Sequence, residues 1–84
     1  MALSNRDQRT VDRIRNGSTV PFRDLVHLME SAGLRLVRQR GSHHVYKHSN
    51  APGALVIQPL GADAKKYQAR QILDMLESNG LLNV

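Results

Sequence analysis

Residues that could move protons and hold a phosphate are concentrated between Arg38 and His48. A basic run joins a histidine-rich run there through the pair Gly41-Ser42. Glycine adopts backbone angles that other residues resist, and serine forms local turn hydrogen bonds, so this pair predicts a tight β-turn. Imidazole is the side chain best suited to proton transfer near neutral pH, and guanidinium pairs readily with phosphate. The stretch therefore indicates chemistry on a phosphodiester.

Three histidines within six positions also raise the alternative of a metal site. In a strand, His44 and His48 would share one face about 13 Å apart, while His43 would point to the opposite face. No Asp or Glu occurs between residues 31 and 62 to complete the ligand shell of a tetrahedral ion. The sequence therefore favours acid–base catalysis, and we expect neither a metal nor another cofactor.

RNA is the phosphodiester that suits such a site, because it carries its own nucleophile, the 2′-hydroxyl. Its cleavage requires only a base, an acid and groups that stabilise the phosphate, and acid–base catalysis contributes about 10²–10⁴-fold. The alternative is that His43 and His44 are strand residues that contact RNA or solvent without catalysing a reaction. The spacing alone does not decide between the catalytic and the non-catalytic role. Candidates to neutralise charge that develops on the phosphate are Arg40, Lys47, Lys65 and Lys66.

The composition narrows the class of protein. A chain of 84 residues predicts a single domain, and 12 basic against 7 acidic residues give a net charge of +5 that attracts nucleic acid or an acidic protein partner. The absence of cysteine excludes disulfides and cysteine-ligated zinc. No apolar run is long enough for a membrane span or a signal peptide, so we expect a cytoplasmic protein without membrane attachment.

Apolar spacing predicts three helices. The first is polar with few apolar anchors, so we expect it to be a loosely docked surface helix. The second follows i, i+3, i+4, i+7 spacing from Phe22 and ends at Gly33 in a left-handed conformation, with His27 off its apolar stripe and exposed. The predicted helices are residues 4–16 with Ser4 or Asn5 as cap, Phe22 to Ala32 with Thr19 as cap, and about Ala64 to Ser78 with Asp63 as cap.

Three strands are predicted between the second and third helices. They cover residues 34–40, 43–48 and 54–58, with a loop of turn-forming residues at 49–53. Their order implies an antiparallel meander. Two amphipathic helices and a sheet with one apolar face then predict an α+β fold, in which the helices cover that face and leave the other to water or a ligand.

Three motifs occur together in this chain: the helix end Ala32-Gly33-Leu34, the turn Arg40-Gly41-Ser42-His43-His44-Val45-Tyr46 and a final helix of the type Ile72-Leu73 to Gly80-Leu81. On these motifs the segment from Phe22 to Leu82 resembles the HicA family of bacterial type II toxins, small ribonucleases that are paired with HicB antitoxins. The resemblance implies a double-stranded-RNA-binding-domain-like fold with an α-β-β-β-α core over residues 21–84. The predicted first helix makes residues 1–20 a helical extension, which is longer than in minimal members of the family.

The same resemblance implies the toxin of a type II toxin–antitoxin system, a metal-independent endoribonuclease that cleaves mRNA with an essential histidine in the Gly-Ser-His turn. By this likeness His43 is the first candidate and His44 the second. Its partners would be mRNA and a cognate HicB-like antitoxin, with the chain a monomer or part of a hetero-oligomer. The alternatives are a non-catalytic RNA-binding module and a protein whose basic face docks an acidic partner. The candidate RNA-binding residues are Arg38, Arg40, Ser42, Lys47, Lys65 and Lys66.

Overall fold

The computed structural model describes residues 3–49 and 51–82, without the side chains of residues 51 and 52. Strands β1, β2 and β3 form an antiparallel sheet in that order, and β4 and β5 form a small separate hairpin that the sequence did not predict. The predicted α+β fold with a double-stranded-RNA-binding-domain-like core and an additional N-terminal helix is confirmed. The elements are α1 (Asn5–Arg15), α2 (Phe22–Ser31), β1 (Arg35–Arg40), β2 (His43–His48), β3 (Ala51–Ile57), β4 (Pro59–Leu60), β5 (Asp63–Ala64) and α3 (Lys66–Ser78).

The helices cover one face of the sheet, as the apolar spacing predicts. The sheet contributes Tyr46 and Ile57 to the core, whereas every residue of β1 is exposed. Leu81 and Leu82 fold back under the end of α3 and are buried. The second face of the sheet is open, because its residues His43, Lys47 and Val56 are exposed. The helical residues buried in the core include Leu25, Leu28, Met29, Ala69, Ile72, Leu73 and Leu76.

Helix α1 is docked more firmly than its narrow apolar stripe predicts. The Ser4 hydroxyl caps it, as expected, by accepting a hydrogen bond from the Asp7 N–H at 3.1 Å. Val11 and Ile14 are buried in the same core as α2 and α3. Two ion pairs join α1 to the other helices, Arg6–Asp24 at 2.9 Å and Arg15–Glu77 at 2.7 Å.

A buried carboxylate completes this docking. Asp7 is 1% exposed, and its Oδ1 lies 2.7 Å from Nδ1 of His27, which is half-buried rather than exposed as predicted. Burial alone would raise the pKa of Asp7, but hydrogen bonds from His27, Ser31 and Ser4 outweigh it and lower this pKa. The contact is polar, so an analysis of apolar periodicity could not detect it.

Two predicted helix caps are wrong. Helix α2 starts at Phe22 without a side-chain cap, because the Phe22 N–H donates to the Ala62 carbonyl at 2.9 Å and Thr19 is not needed. Asp63 belongs to β5, and Lys65 occupies the N-cap position of α3, which therefore begins later than predicted. At α2, the carbonyl of Ala62 in the β4–β5 hairpin takes the place of the side-chain cap.

The third strand also differs from its prediction. β3 starts at residue 51, inside the segment predicted to be a loop. Gly53 takes φ +82°, and the pairing with β2 shifts register between Tyr46 and His48. This irregularity lets the strand include residues that usually form turns.

A search for a helix long and apolar enough to cross a membrane found none in the described part of the chain.

Candidate active site and nucleic-acid interface

The β1–β2 hairpin positions the histidines that the sequence singles out. Arg40 and His43 are paired across a two-residue loop, so the predicted turn at Gly41-Ser42 is confirmed. Gly41 takes φ +54°, whereas no described non-glycine residue, Ser42 included, has a positive φ. Glycine at the first loop position is what a type II′ hairpin requires, and the twist of this turn matches that of the strands.

A bulge in β1 decides which side chains share a face with each histidine. Leu36 pairs with Tyr46, but the register then shifts, so that Arg38 pairs with Val45 instead of His44. The extra residue, Val37, thereby moves Arg38 to the open face of the sheet. Without this bulge the guanidinium of Arg38 would lie on the face that the helices cover.

His43 lies on the open face together with both arginines. It is exposed and lines a shallow depression with Arg38, Arg40, Val45 and Val56. Val56 is 53% exposed and gives the depression an apolar floor. The side chains of His43, Arg38 and Arg40 therefore share one depression and can bind a phosphate group together.

His44 points to the opposite face, towards the helices. It is half-buried, and its ring meets the edge of the Phe22 ring with centroids 5.2 Å apart and an interplanar angle of 70°. Edge-to-face contact of this kind restricts the orientation of the imidazole. Consecutive residues of a strand face opposite sides, so His43 and His44 have different surroundings although they are neighbours in sequence.

Lys65 is hydrogen-bonded beside the end of β3. Its Nζ donates to Oε1 of Gln58 at 3.4 Å, and the Gln58 N–H donates to Oε1 of Gln68 at 3.0 Å. Gln58 follows Ile57, the residue that pairs with His44 across β2 and β3. An oriented imidazole and a hydrogen-bonded ammonium group therefore lie at the same end of the sheet.

The other predicted RNA-binding residues are divided between surfaces. Lys47 pairs with Arg35 on the open face, and Ser42 is exposed in the turn. Lys66 instead lines a groove between α1 and α3, together with Tyr67. Lys65 and Lys66 therefore lie on different surfaces, although they are neighbours in the sequence.

Sequence analysis missed the residues that hold this site in place. Phe22 was interpreted only as part of the apolar stripe of α2, yet it orients His44. Gln58 and Gln68 connect β3 to α3 and position Lys65. Periodicity within one element could not indicate these contacts, because each joins side chains from different parts of the chain.

The third histidine of the hairpin has yet another environment. His48 packs against the end of α2, where a Cβ placed on Gly33 would be 2.7 Å from its Nε2. Among residues 3–49 and 51–82, no group of three or more His, Asp or Glu side chains could hold a metal ion.

Comparison with known proteins relates this architecture to one family. A family model described as "HicA toxin of bacterial toxin-antitoxin" matches residues 22–80, which contain α2, the three-stranded sheet and α3. Searches of curated proteins and of solved structures each returned no match. Helix α1 precedes the matched segment.

Proposed function

This chain belongs to the HicA family of toxins from bacterial toxin–antitoxin systems, and from that premise we propose that it is a metal-independent endoribonuclease that cleaves mRNA. The observation that supports the proposal best is the β1–β2 hairpin, which presents an oriented imidazole on one face and an imidazole beside two guanidinium groups on the other. A cognate HicB-like antitoxin would inhibit the enzyme by covering this hairpin.

We assign the general base to His44 rather than to His43, the first candidate from sequence. A base must be held in a productive orientation, and a loosely held group loses much of its effect. His44 is half-buried and restrained by Phe22, whereas His43 is exposed at the end of the hairpin. His43 is better suited to binding the phosphate backbone together with Arg38 and Arg40.

The reaction then needs few groups. His44 accepts the proton of the ribose 2′-hydroxyl and the 2′-oxygen attacks the adjacent phosphorus. The bond from phosphorus to the 5′-oxygen breaks as that oxygen takes up a proton from water, which leaves a 2′,3′-cyclic phosphate and a 5′-hydroxyl. Negative charge develops on the phosphate oxygens during the attack. The ammonium group of Lys65, held by Gln58, stabilises that charge.

Paired histidine variants test the assignment. Purified wild type, His43→Ala and His44→Ala would be incubated with a labelled RNA, with and without a chelator, and expressed in a bacterial host to follow growth. We expect His44→Ala to slow cleavage by about 10²–10⁴-fold and to relieve growth arrest, because the base is lost. We expect His43→Ala to slow it by less than about tenfold, since general acid–base catalysis would remain.

The outcomes separate the alternatives. Cleavage that depends on His43 and survives His44→Ala would reverse the assignment, and loss of cleavage in chelator would contradict the metal-independent mechanism. Wild type that binds RNA without cutting it would instead support a non-catalytic RNA-binding module. Circular dichroism spectra and urea unfolding of both variants provide the control for folding.

A further inference from the structure

A groove between α1 and α3 has the chemistry of a binding site for single-stranded nucleic acid. It lies between the end of α1, at Ile14 and Arg15, and the first turns of α3, at Lys66, Tyr67 and Arg70. Helix α1 precedes the segment that matches the family model. One wall of the groove is therefore supplied by residues that precede the matched segment.

An exposed aromatic ring is the first notable feature of this groove. Tyr67 is 60% exposed, whereas Tyr46, the second tyrosine of the chain, is buried in the core. Leaving a large aromatic ring in water forgoes the stabilisation that its burial would give. The flat face of such a ring is the usual platform on which an unpaired base stacks.

Positive charge surrounds the ring. The groove is lined by three cationic side chains and by no carboxylate within the described residues. Arg15 and Arg70 are each about half exposed and bind Glu77 and Asp74, which lie outside the lining. A ring flanked by Lys66 and Arg70 combines base stacking with phosphate binding, the two interactions that proteins use to hold single strands.

The groove also adjoins the proposed catalytic end of the sheet. Lys65 donates a hydrogen bond to Gln58, which follows Ile57, the strand partner of His44. The next residue after Lys65, Lys66, lines the groove. We propose that the groove between α1 and α3 binds the single-stranded part of the RNA substrate on one side of the cleavage site, with a base stacked on Tyr67 and phosphates on Lys66 and Arg70. This inference rests on the proposed endoribonuclease function.

Binding to RNA of two lengths tests the groove. The full chain carrying His44→Ala, which should bind without cutting, would be titrated with single-stranded RNA of about four and about twelve nucleotides, both within the range of typical single-strand site sizes. Tyr67→Ala should weaken binding of the longer RNA about tenfold, because stacking of one base is lost. Binding of the shorter RNA, which occupies only the histidine end, should change less than about twofold.

Matched variants identify the interaction. Tyr67→Phe keeps the ring and should bind like the parent, and Lys66→Gln should weaken the longer RNA only. Arg9→Gln removes the same charge from the exposed side of α1 and should leave the length dependence unchanged. Because the chain has no tryptophan and Tyr46 is buried, quenching of tyrosine fluorescence by RNA should disappear in Tyr67→Phe.

The possible failures are distinguishable. If wild type cuts RNA but Tyr67→Ala and Lys66→Gln bind the longer RNA like the parent, the groove proposal is overturned and the proposed function stands. If wild type neither binds nor cuts RNA at low salt, both fail. If the groove variants lose affinity only for the antitoxin, the groove is a protein interface and the RNA proposal is again overturned.

Discussion

At the scale of single residues, Gly33 links the end of α2 to the histidine hairpin. Its φ is +95°, and the following Leu34 N–H donates to the Met29 carbonyl at 3.0 Å, which closes the helix end as the sequence predicts. Gly33→Ala combines an unfavourable backbone angle with a Cβ only 2.7 Å from Nε2 of His48. We expect a loss of about 1–3 kcal/mol in the free energy of unfolding, measured by urea denaturation.

A second glycine provides the control for that experiment. Gly17 also has a positive φ, +75°, but a Cβ there would meet nothing within 4 Å. Gly17→Ala should therefore lower the free energy of unfolding only through its unfavourable φ, without a steric clash. Adding His48→Ala to Gly33→Ala should shrink the difference between the two glycine variants, and equal losses in Gly17→Ala and Gly33→Ala would argue against a steric role of His48.

Some features of the candidate site could be predicted from single residues in the sequence, and others could not. The turn at Gly41-Ser42 and the cross-strand pairing of Arg40 with His43 follow from residue types and short spacing. The environment of His44 does not, because it depends on a ring from another element. The position of Arg38 depends on a bulge, and a bulge is defined only by the pairing of two strands.

At the scale of elements, the Asp7–His27 contact makes the docking of α1 sensitive to acid. The pKa of Asp7 is lowered in the folded protein, so the unfolded chain binds its proton at higher pH. The stabilisation is thus complete above the ordinary value near 3.8 and is lost as the pH falls through the lower, folded value. Urea denaturation should show a free energy of unfolding that decreases below about pH 4, and Asp7→Asn should flatten this decrease.

The same substitution has a cost at neutral pH. Asp7→Asn replaces a buried carboxylate that accepts several hydrogen bonds, so we expect a loss of about 1–3 kcal/mol in the free energy of unfolding at pH 7. Asp12→Asn is the matched control, because Asp12 lies on the exposed side of the same helix and accepts from Gln8 at 3.0 Å. An acid dependence that is unchanged in Asp7→Asn would place its origin elsewhere in the protein.

Elements were predictable where apolar periodicity specifies them. The buried face of α3, from Ala69 to Leu76, and the antiparallel order of the strands follow from spacing alone. The docking of α1 was underestimated, since its decisive contact is polar. The cap of α2 was assigned to Thr19 because local capping rules do not include a carbonyl from a distant hairpin, here that of Ala62.

At the scale of the whole molecule, the positive charge is arranged around the hairpin. The strand register places five basic or histidine side chains on the same open face of the sheet: Arg35, Arg38, Arg40, His43 and Lys47. Neither β1 nor β2 contains an acidic residue, and the chain carries a net charge of +5. A polyanion that approaches this face therefore meets attraction along the whole length of both strands.

The salt dependence of RNA affinity measures how many phosphates this positively charged face neutralises. If RNA crosses the open face, its affinity for the His44→Ala chain should fall steeply with salt, because each neutralised phosphate releases counterions. Arg38→Gln removes one such contact and should reduce the slope of log K against log salt by about 0.7. Arg9→Gln lowers the net charge equally but lies on α1, away from that face, so its slope should stay that of the parent. If both substitutions change the slope equally, RNA affinity depends only on the net charge of the protein. A slope near zero would mean that RNA binds without neutralisation of its phosphates.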